Sequence, residues 1–355
     1  MKLIHCADLH LDSGMETGLP AEKARERRLE LLDTFENMIQ AGASAGAEGV
    51  LLCGDLFDGG TVSARARSRV LNAIREHPDM TFYYLRGNHD REELLAGEGQ
   101  RPENLRTFGP EWTTCEQNGI CVTGAELSAE NADVLVESLR LDPDRINIVM
   151  LHGMAGEYGG GEEGISLRKL RGKHIDYLAL GHVHSFRKER LDDRGIWCYS
   201  GCLEGRGFDE CGEKGYVMLE VDGGRITADF VPCAARTLHE VKADVSGLVQ
   251  EQEILAAVRD AVKGIPQRDL VKAILTGSVG PECEIDVEWL MKKLEKDYYF
   301  LKLQDRTRVE ADPEDYRCDV SLRGEFVRLA LASELDGADR GEVLRLGLRA
   351  LAGEE

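Results

Sequence analysis

"YLALGHVHSF" (Tyr177–Phe186) sets a glycine and two histidines, one residue apart, directly after a short apolar run. On an extended chain, residues at i and i+2 point to the same side, so His182 and His184 share a face. A strand interior disfavours two imidazoles on one side. The pair either rests on a solvated edge or grips something jointly, and the rest of the chain decides between these.

The same pattern recurs at the end of each short apolar strand that precedes it. After "KLIHCA" (Lys2–Ala7) come Asp8 and His10. After "GVLLC" (Gly49–Cys53) comes Asp55 behind Gly54, with Asp58 further on. After "TFYYLR" (Thr81–Arg86) come Asn88, His89 and Asp90. "NIVMLH" (Asn147–His152) ends on His152, and "IDYLALGH" (Ile175–His182) leads into the histidine pair. Amphipathic helical patterns lie between strands, from Ala21 and again through "SARARSRVLNAIREH". This alternation predicts an α/β fold with a mixed or parallel sheet at its centre, whose strand carboxyl ends bind ligands. "WCYS", "YVMLEV" and "ITADFVP" predict hairpins on a second sheet.

Only nine histidines occur in the chain, so five successive strand ends each bearing His, Asp or Asn are not a chance placement. Carboxylates, an amide oxygen and neutral imidazoles together suit Mn²⁺, Fe²⁺ or Zn²⁺. An aspartate can bridge two ions about 3.5–4 Å apart, the clamp used in phosphoryl transfer. Gly54, Gly87, Gly153 and Gly181 flank these residues and let the backbone turn sharply beside them. The opening pair therefore reads as metal ligands.

Composition bounds the setting. The 355 residues leave room for two domains. Ten cysteines without a CxxC pair read as buried free thiols, and the start lacks a signal-peptide cleavage site, so a cytoplasmic location is expected. No apolar run reaches spanning length, and no membrane contact is expected. The net charge of −21, spread along the chain, predicts weak nonspecific affinity for a polyanion by the protein alone. Metal cations and local Arg or Lys would have to supply that attraction.

D-x-H, G-D, G-N-H-D, a lone H and G-H-x-H, in this order, resemble the calcineurin-like metallophosphoesterase superfamily over residues 1–235. The resemblance implies a two-sheet α-β-β-α core holding two divalent ions, with manganese the expected metal. It implies that Asp8, His10, Asp55 and His184 hold one ion and that Asp55, Asn88, His152 and His182 hold the other. His89 would contact the phosphate and protonate the leaving oxygen, while a metal-activated hydroxide attacks phosphorus. "GDLFDGG", "GHVH" and "YSGCLEGRGFDECGEKGY" are similar to SbcD-like and meiotic-recombination-type DNA repair exonucleases. That likeness implies a DNA exonuclease working with an SMC-like, SbcC-like ABC ATPase, and it admits a homodimer. Residues 236–310 would form a small α+β capping domain, and 311–355 a linker and helices for docking the partner. Arg206 and Asp58 are candidate substrate contacts. A phosphomonoesterase or cyclic-nucleotide phosphodiesterase of the same superfamily is the alternative, since "LRGNHD" is also similar to the protein Ser/Thr phosphatase motif.

Other residues have plainer expectations. His5 faces away from Asp8 and packs; His77, His174 and His239 are surface or core residues. Asp90 caps a helix beginning "REELL". Tyr298, Tyr299 and Phe300 are core strand, and Arg25, Arg27, Arg28, Arg65, Arg67 and Arg69 line solvated helix faces. Asp339 with Glu342 caps a last helix whose Val343, Leu344, Leu348 and Leu351 share a side. That stripe faces either the chain's own core or the ATPase.

Overall fold

A computed structural model describes residues 1–15, 18–59, 62–91, 101–159, 164–280 and 283–352. The chain divides into two units, Met1–Thr237 and Leu238–Glu355.

In the first unit, β1 (Lys2–Cys6), β2 (Ala47–Cys53) and β3 (Thr81–Leu85) are adjacent parallel strands, with α1 (Ala21–Ser44) and α2 (Ala64–Arg75) as crossovers. β4 (Leu105–Thr107) extends one side of this sheet. The second sheet comprises β5 (Thr113–Gln117), β6 (Ile120–Gly124), β7 (Ile146–His152), β10 (Tyr177–Gly181), β11 (Arg187–Arg190) and β12 (Ile196–Tyr199). In this sheet α3 (Ala132–Ser138) lies between β6 and β7 in the chain. The short pair β8 (Met154–Gly156) and β9 (Gly164–Ser166), then α4 (Leu167–Leu170), lie between β7 and β10. β6, β7, β10 and β12 run parallel, with β5 and β11 antiparallel at the edges. β13 (Gly215–Asp222) and β14 (Arg225–Pro232) form a hairpin, as their alternation predicts. They join the first sheet through β13 and β1, however, and not the second.

The two sheets are six-stranded and face one another across an apolar layer that includes Leu3, Leu51, Tyr83, Ile148, Met150 and Ala179. α1 and α2 cover the outer face of the first sheet through Leu31, Phe35, Met38, Ile39, Val70 and Ile74. α3 and α4 cover the second through Leu135, Val136 and Leu170. On α1 and α2 these positions recur at helical spacing, so each of the two buries one stripe, and each large side chain contributes about 1.5–3 kcal/mol by leaving water. Ser63 starts α2 by accepting from the Ala66 N–H at 3.2 Å. The result is the α-β-β-α layering that the motif order implies.

The second unit has β15 (Leu238–Asp244), α5 (Glu251–Ala261), β16 (Leu270–Thr276), β17 (Ser278–Val279), α6 (Val287–Leu294), β18 (Phe300–Asp305), β19 (Arg308–Val309), α7 (Leu322–Leu331) and α8 (Gly337–Ala352). β15, β16 and β18 form a parallel three-stranded sheet. α5 and α6 pack on it, and Val327, Ala330 and Leu344 of α7 and α8 belong to the same core. The last helix therefore splits the expected stripe. Leu344 is buried and Leu348 packs beside it, whereas Val343 and Leu351 stay exposed. Its start also differs: the side chain of Asp336, not Asp339, accepts from the Asp339 N–H at 2.9 Å.

Candidate metal centre

Because β1, β2 and β3 are parallel neighbours, the residues after them emerge at one edge of the first sheet. β7 and β10 are parallel neighbours in the second sheet, with His152 opposite Gly181 in register. The two sets of loops meet. His10 Nε2 lies 3.3 Å from His184 Nε2, and the Asn88 side-chain oxygen lies 3.0 Å from His152 Nε2 and 3.3 Å from His182 Nδ1. Asp55 Oδ2 stands between both groups, 3.7 Å from His10 Nε2 and 3.4 Å from His152 Nε2. All seven residues expected to hold metal thus converge on one place.

The backbone is strained to bring them there. Among the described non-glycine residues, positive φ occurs at seven positions, and four of these are Asp8, His10, Asp55 and His182. Such conformations cost about 1–3 kcal/mol each and persist only where surrounding contacts impose them. Here the Asp8 N–H donates to Gly54 O at 3.1 Å and the His10 N–H to Asp55 O at 2.9 Å. Gly54, at φ 85°, has no room for a side chain, because a Cβ there would collide with the His152 ring.

The polar atoms are arranged for a cation. Nδ1–H of His152 faces Cys53 O at 2.9 Å and Nδ1–H of His184 faces Glu210 Oε1 at 2.6 Å, so each ring turns Nε2 toward the centre, where the neutral form offers its lone pair. Asp8 Oδ1 accepts from the His182 N–H at 2.8 Å, while Asp8 Oδ2 is buried with no hydrogen-bond partner. Two buried carboxylates side by side require positive charge to stay ionised. Burial drives the Asp8 carboxyl up to about 6. Burial acts on Asp55 in the same direction, but the adjacent His152 holds it down at about 2. Reciprocally, Asp55 overcomes the burial of His152 and raises it to about 9. Asp8, His10 and His184, and likewise Asp8, Asp55 and His152, bring donor atoms within 4.8 Å of one another. An orphaned buried carboxylate oxygen and imidazole lone pairs aimed at a shared point fit divalent ions.

His89 differs from these. Its side chain is 46% exposed, and its Nδ1 lies 3.1 Å from Asp58 Oδ1. The same Asp58 oxygen is 3.3 Å from His10 Nδ1, and Asp58 Oδ2 is 3.7 Å from an Arg206 nitrogen. Asp58 therefore links His10, His89 and Arg206. The Arg206 guanidinium is mostly buried and donates to Glu210 Oε1 at 3.0 Å.

Three readings are corrected by this geometry. Asp90 does not use its carboxylate on a helix: it accepts from the N–H groups of Leu56, Phe57 and Gly87 at 3.0–3.1 Å, clasping the Asp55 loop to the Asn88 loop. Most of the helix expected beyond it, residues 92–100, lies outside the described residues. Arg27 is not solvated: it is buried, donating to Glu204 Oε2 and Gly205 O, both at 3.0 Å. Arg69 pairs with Asp33 and Glu36 of α1. His5 is a buried packing residue, as expected, bonded to the Tyr177 hydroxyl at 2.8 Å and Leu180 O at 3.2 Å. Glu210 went unnoticed, although its place in the loop after a sixth strand, β12, extends the pattern that revealed the others.

The calcineurin-like phosphoesterase model matches residues 1–186. An "Uncharacterized metallophosphoesterase YhaO" of Bacillus subtilis is 26% identical, covering 95% of this chain and 84% of that protein. A "DNA double-strand break repair protein Mre11" of Methanopyrus kandleri is 24% identical over 96% of this chain and 79% of its own length. Among solved structures, TT1561 of Thermus thermophilus aligns with a TM-score of 0.43 at 14% identity, covering 64% of this chain and 98% of that one. No described helix is long and apolar enough to cross a membrane. With its five motif blocks gathered at one edge of a two-sheet core, the chain belongs to the calcineurin-like phosphoesterases, hydrolases that bind two divalent metal ions.

Proposed function

We propose that this chain is a Mn²⁺-dependent DNA exonuclease. The carrying observation is the convergence of Asp8, His10, Asp55, Asn88, His152, His182 and His184 from five strand ends, with Asp55 Oδ2 between the two groups. Asp8, His10, Asp55 and His184 would hold one ion, and Asp55, Asn88, His152 and His182 the other. Bound divalent ions supply positive charge against the phosphate and bring the ionisation of water near neutral pH.

The chain's own residues do the rest. Cys53 O and Glu210 orient His152 and His184. The exposed His89, with Nδ1 turned to Asp58, would hold a proton for the leaving oxygen. The relatives named for DNA double-strand break repair, aligned over most of their length, favour a DNA phosphodiester over a small phosphate ester. The net charge of −21 favours a partner that supplies grip on DNA, for which an SMC-like ABC ATPase is the candidate. With Leu344 buried, Val343, Leu346 and Leu351 are the large exposed apolar side chains among the described residues of α8 left for such docking.

Incubation of the purified protein with end-labelled single- and double-stranded DNA and Mn²⁺ tests the reading. Release of mononucleotides or short products from the ends supports it. Hydrolysis confined to small phosphomonoesters or cyclic nucleotides would replace it with the alternative.

A further inference from the structure

Five strand ends deliver side chains to the centre, and the loop after a sixth strand, β12, delivers a bracket for one of them. We propose that Glu210 is a positioning residue for His184: it fixes the ring proton on Nδ1 and holds the Nε2 lone pair toward the ion shared with Asp8, His10 and Asp55. This rests on the dinuclear-metal reading above.

The Nδ1···Oε1 distance is 2.6 Å, and the glutamate is 6% exposed. Glu210 is itself clamped: Oε2 accepts from the Arg206 backbone N–H at 2.7 Å and Oε1 from the Arg206 guanidinium at 3.0 Å. Its own N–H donates to Gly207 O at 2.9 Å, closing a tight turn. The same loop grips the main chain of His184, whose carbonyl accepts from Lys214 Nζ at 2.7 Å. Gly201, at φ 73°, runs close alongside, and a Cβ there would lie 2.9 Å from Phe186 N. Residues 200–214 thus hold His184 at both ring and carbonyl.

The physical consequence follows from imidazole chemistry. A neutral ring has two tautomers, and only the one protonated on Nδ1 presents Nε2 as a donor to metal. A carboxylate on Nδ1–H selects that tautomer and makes Nε2 more basic. His152 is oriented by a neutral group, the Cys53 carbonyl. The two histidines therefore differ: an anion backs one and a peptide dipole the other. Removing the charge of Glu210 should weaken one ion and spare its neighbour.

Calorimetric titration of Mn²⁺ into metal-stripped protein measures this. Glu210→Gln keeps shape and an acceptor oxygen but loses the charge. It should lower affinity at one of two sites by about 10–100-fold and leave the second unchanged. Phosphodiester hydrolysis should fall at limiting Mn²⁺ and recover at saturating Mn²⁺, with KM for the ester unaltered. Wild-type affinity at both sites in a folded Glu210→Gln protein would overturn the inference while the dinuclear reading stood. If the wild-type protein takes up fewer than two ions, the dinuclear reading itself falls and carries the inference with it. Should Glu210→Gln not fold, Arg206→Met decides, because it leaves the carboxylate but removes one clamp. A loss at one ion supports the assignment, and none overturns it.

Discussion

Two buried clusters of polar and charged side chains in the first unit differ in how fully their atoms are paired. Around Glu204, every oxygen is accounted for. Oε2 takes Arg27, and Oε1 takes the Thr34 hydroxyl at 2.7 Å and the Ala235 N–H at 2.6 Å. Arg27 also reaches Glu30, which pairs with Arg236. Around Asp55, by contrast, Asp8 Oδ2 is buried without a hydrogen bond, and His10 and His184 aim ring nitrogens at each other. A buried polar group left unpaired costs about 1–3 kcal/mol. A fold sustains that cost where a ligand offsets it, so satisfaction marks the first cluster as structural and its lack marks the second as a site.

The largest expected effect breaks the unsatisfied cluster at its centre. Asp55→Asn removes the carboxylate between the two groups, and each ion supplies several kcal/mol of charge stabilisation to phosphoryl transfer. DNA cleavage should fall by more than about 10³-fold, with elemental analysis showing most metal gone and circular dichroism unchanged. Near-normal cleavage with two ions bound would remove Asp55 from the bridging role. His89→Asn tests the exposed edge of the same cluster. Metal content should stay near wild type while the rate drops about 10²–10⁴-fold, the usual contribution of general acid–base help. Loss of an ion would instead make His89 a ligand.

The satisfied cluster answers to stability and not to metal. Arg27→Met leaves Glu204 buried without its cation, which costs about 3–5 kcal/mol for pairs of this kind. Urea denaturation should show that loss, and metal titration should still show two ions. A protein of unchanged stability would mean that water reaches Glu204, and the contrast between the clusters would weaken.

These two clusters were not equally legible in the sequence. The candidate metal residues stand out because each lies at or just past the end of an apolar strand, a local signal repeated five times. Asp55 and His152 are far apart in the chain, but each announces itself through its own neighbours. Arg27 carries no such mark: in "AEKARERRLELL" it is one charge among many, and only the return of the chain at Glu204 tells which arginine turns inward. The β13–β14 hairpin could be read from its alternation, whereas its membership of the first sheet depends on pairing with β1, at the far end of the unit. Asp90 misled for a related reason. Aspartate before a helical pattern is a cap by local rules, yet three N–H groups from the Asp55 and Asn88 loops claim it. Local patterns reveal what each element carries, and only closure of the chain reveals which partner satisfies it.

The smallest expected effect is the sharpest test, because its sign reverses. Asp8→Asn removes a charge whose Oδ2 is buried and unpartnered, in a backbone conformation, φ 53°, that asparagine adopts more readily than most residues. The amide oxygen of the variant can still accept from the His182 N–H, the hydrogen bond that Asp8 Oδ1 accepts in the wild type. In EDTA near neutral pH the variant should therefore be more stable than the wild type by about 1–3 kcal/mol, because the burial that lifts the Asp8 carboxyl to about 6 penalises the charged form and not the amide. With Mn²⁺ the order should invert. A ligand at a hundred times its Kd stabilises the folded protein by about 2.7 kcal/mol, and only the wild type gains this in full. Melting curves with and without metal would then cross between the two proteins, whereas Arg27→Met should lie below the wild type in both conditions. An Asp8→Asn protein less stable than wild type in EDTA would show that Asp8 is a structural group like Glu204, and that its bare oxygen is no guide to the site.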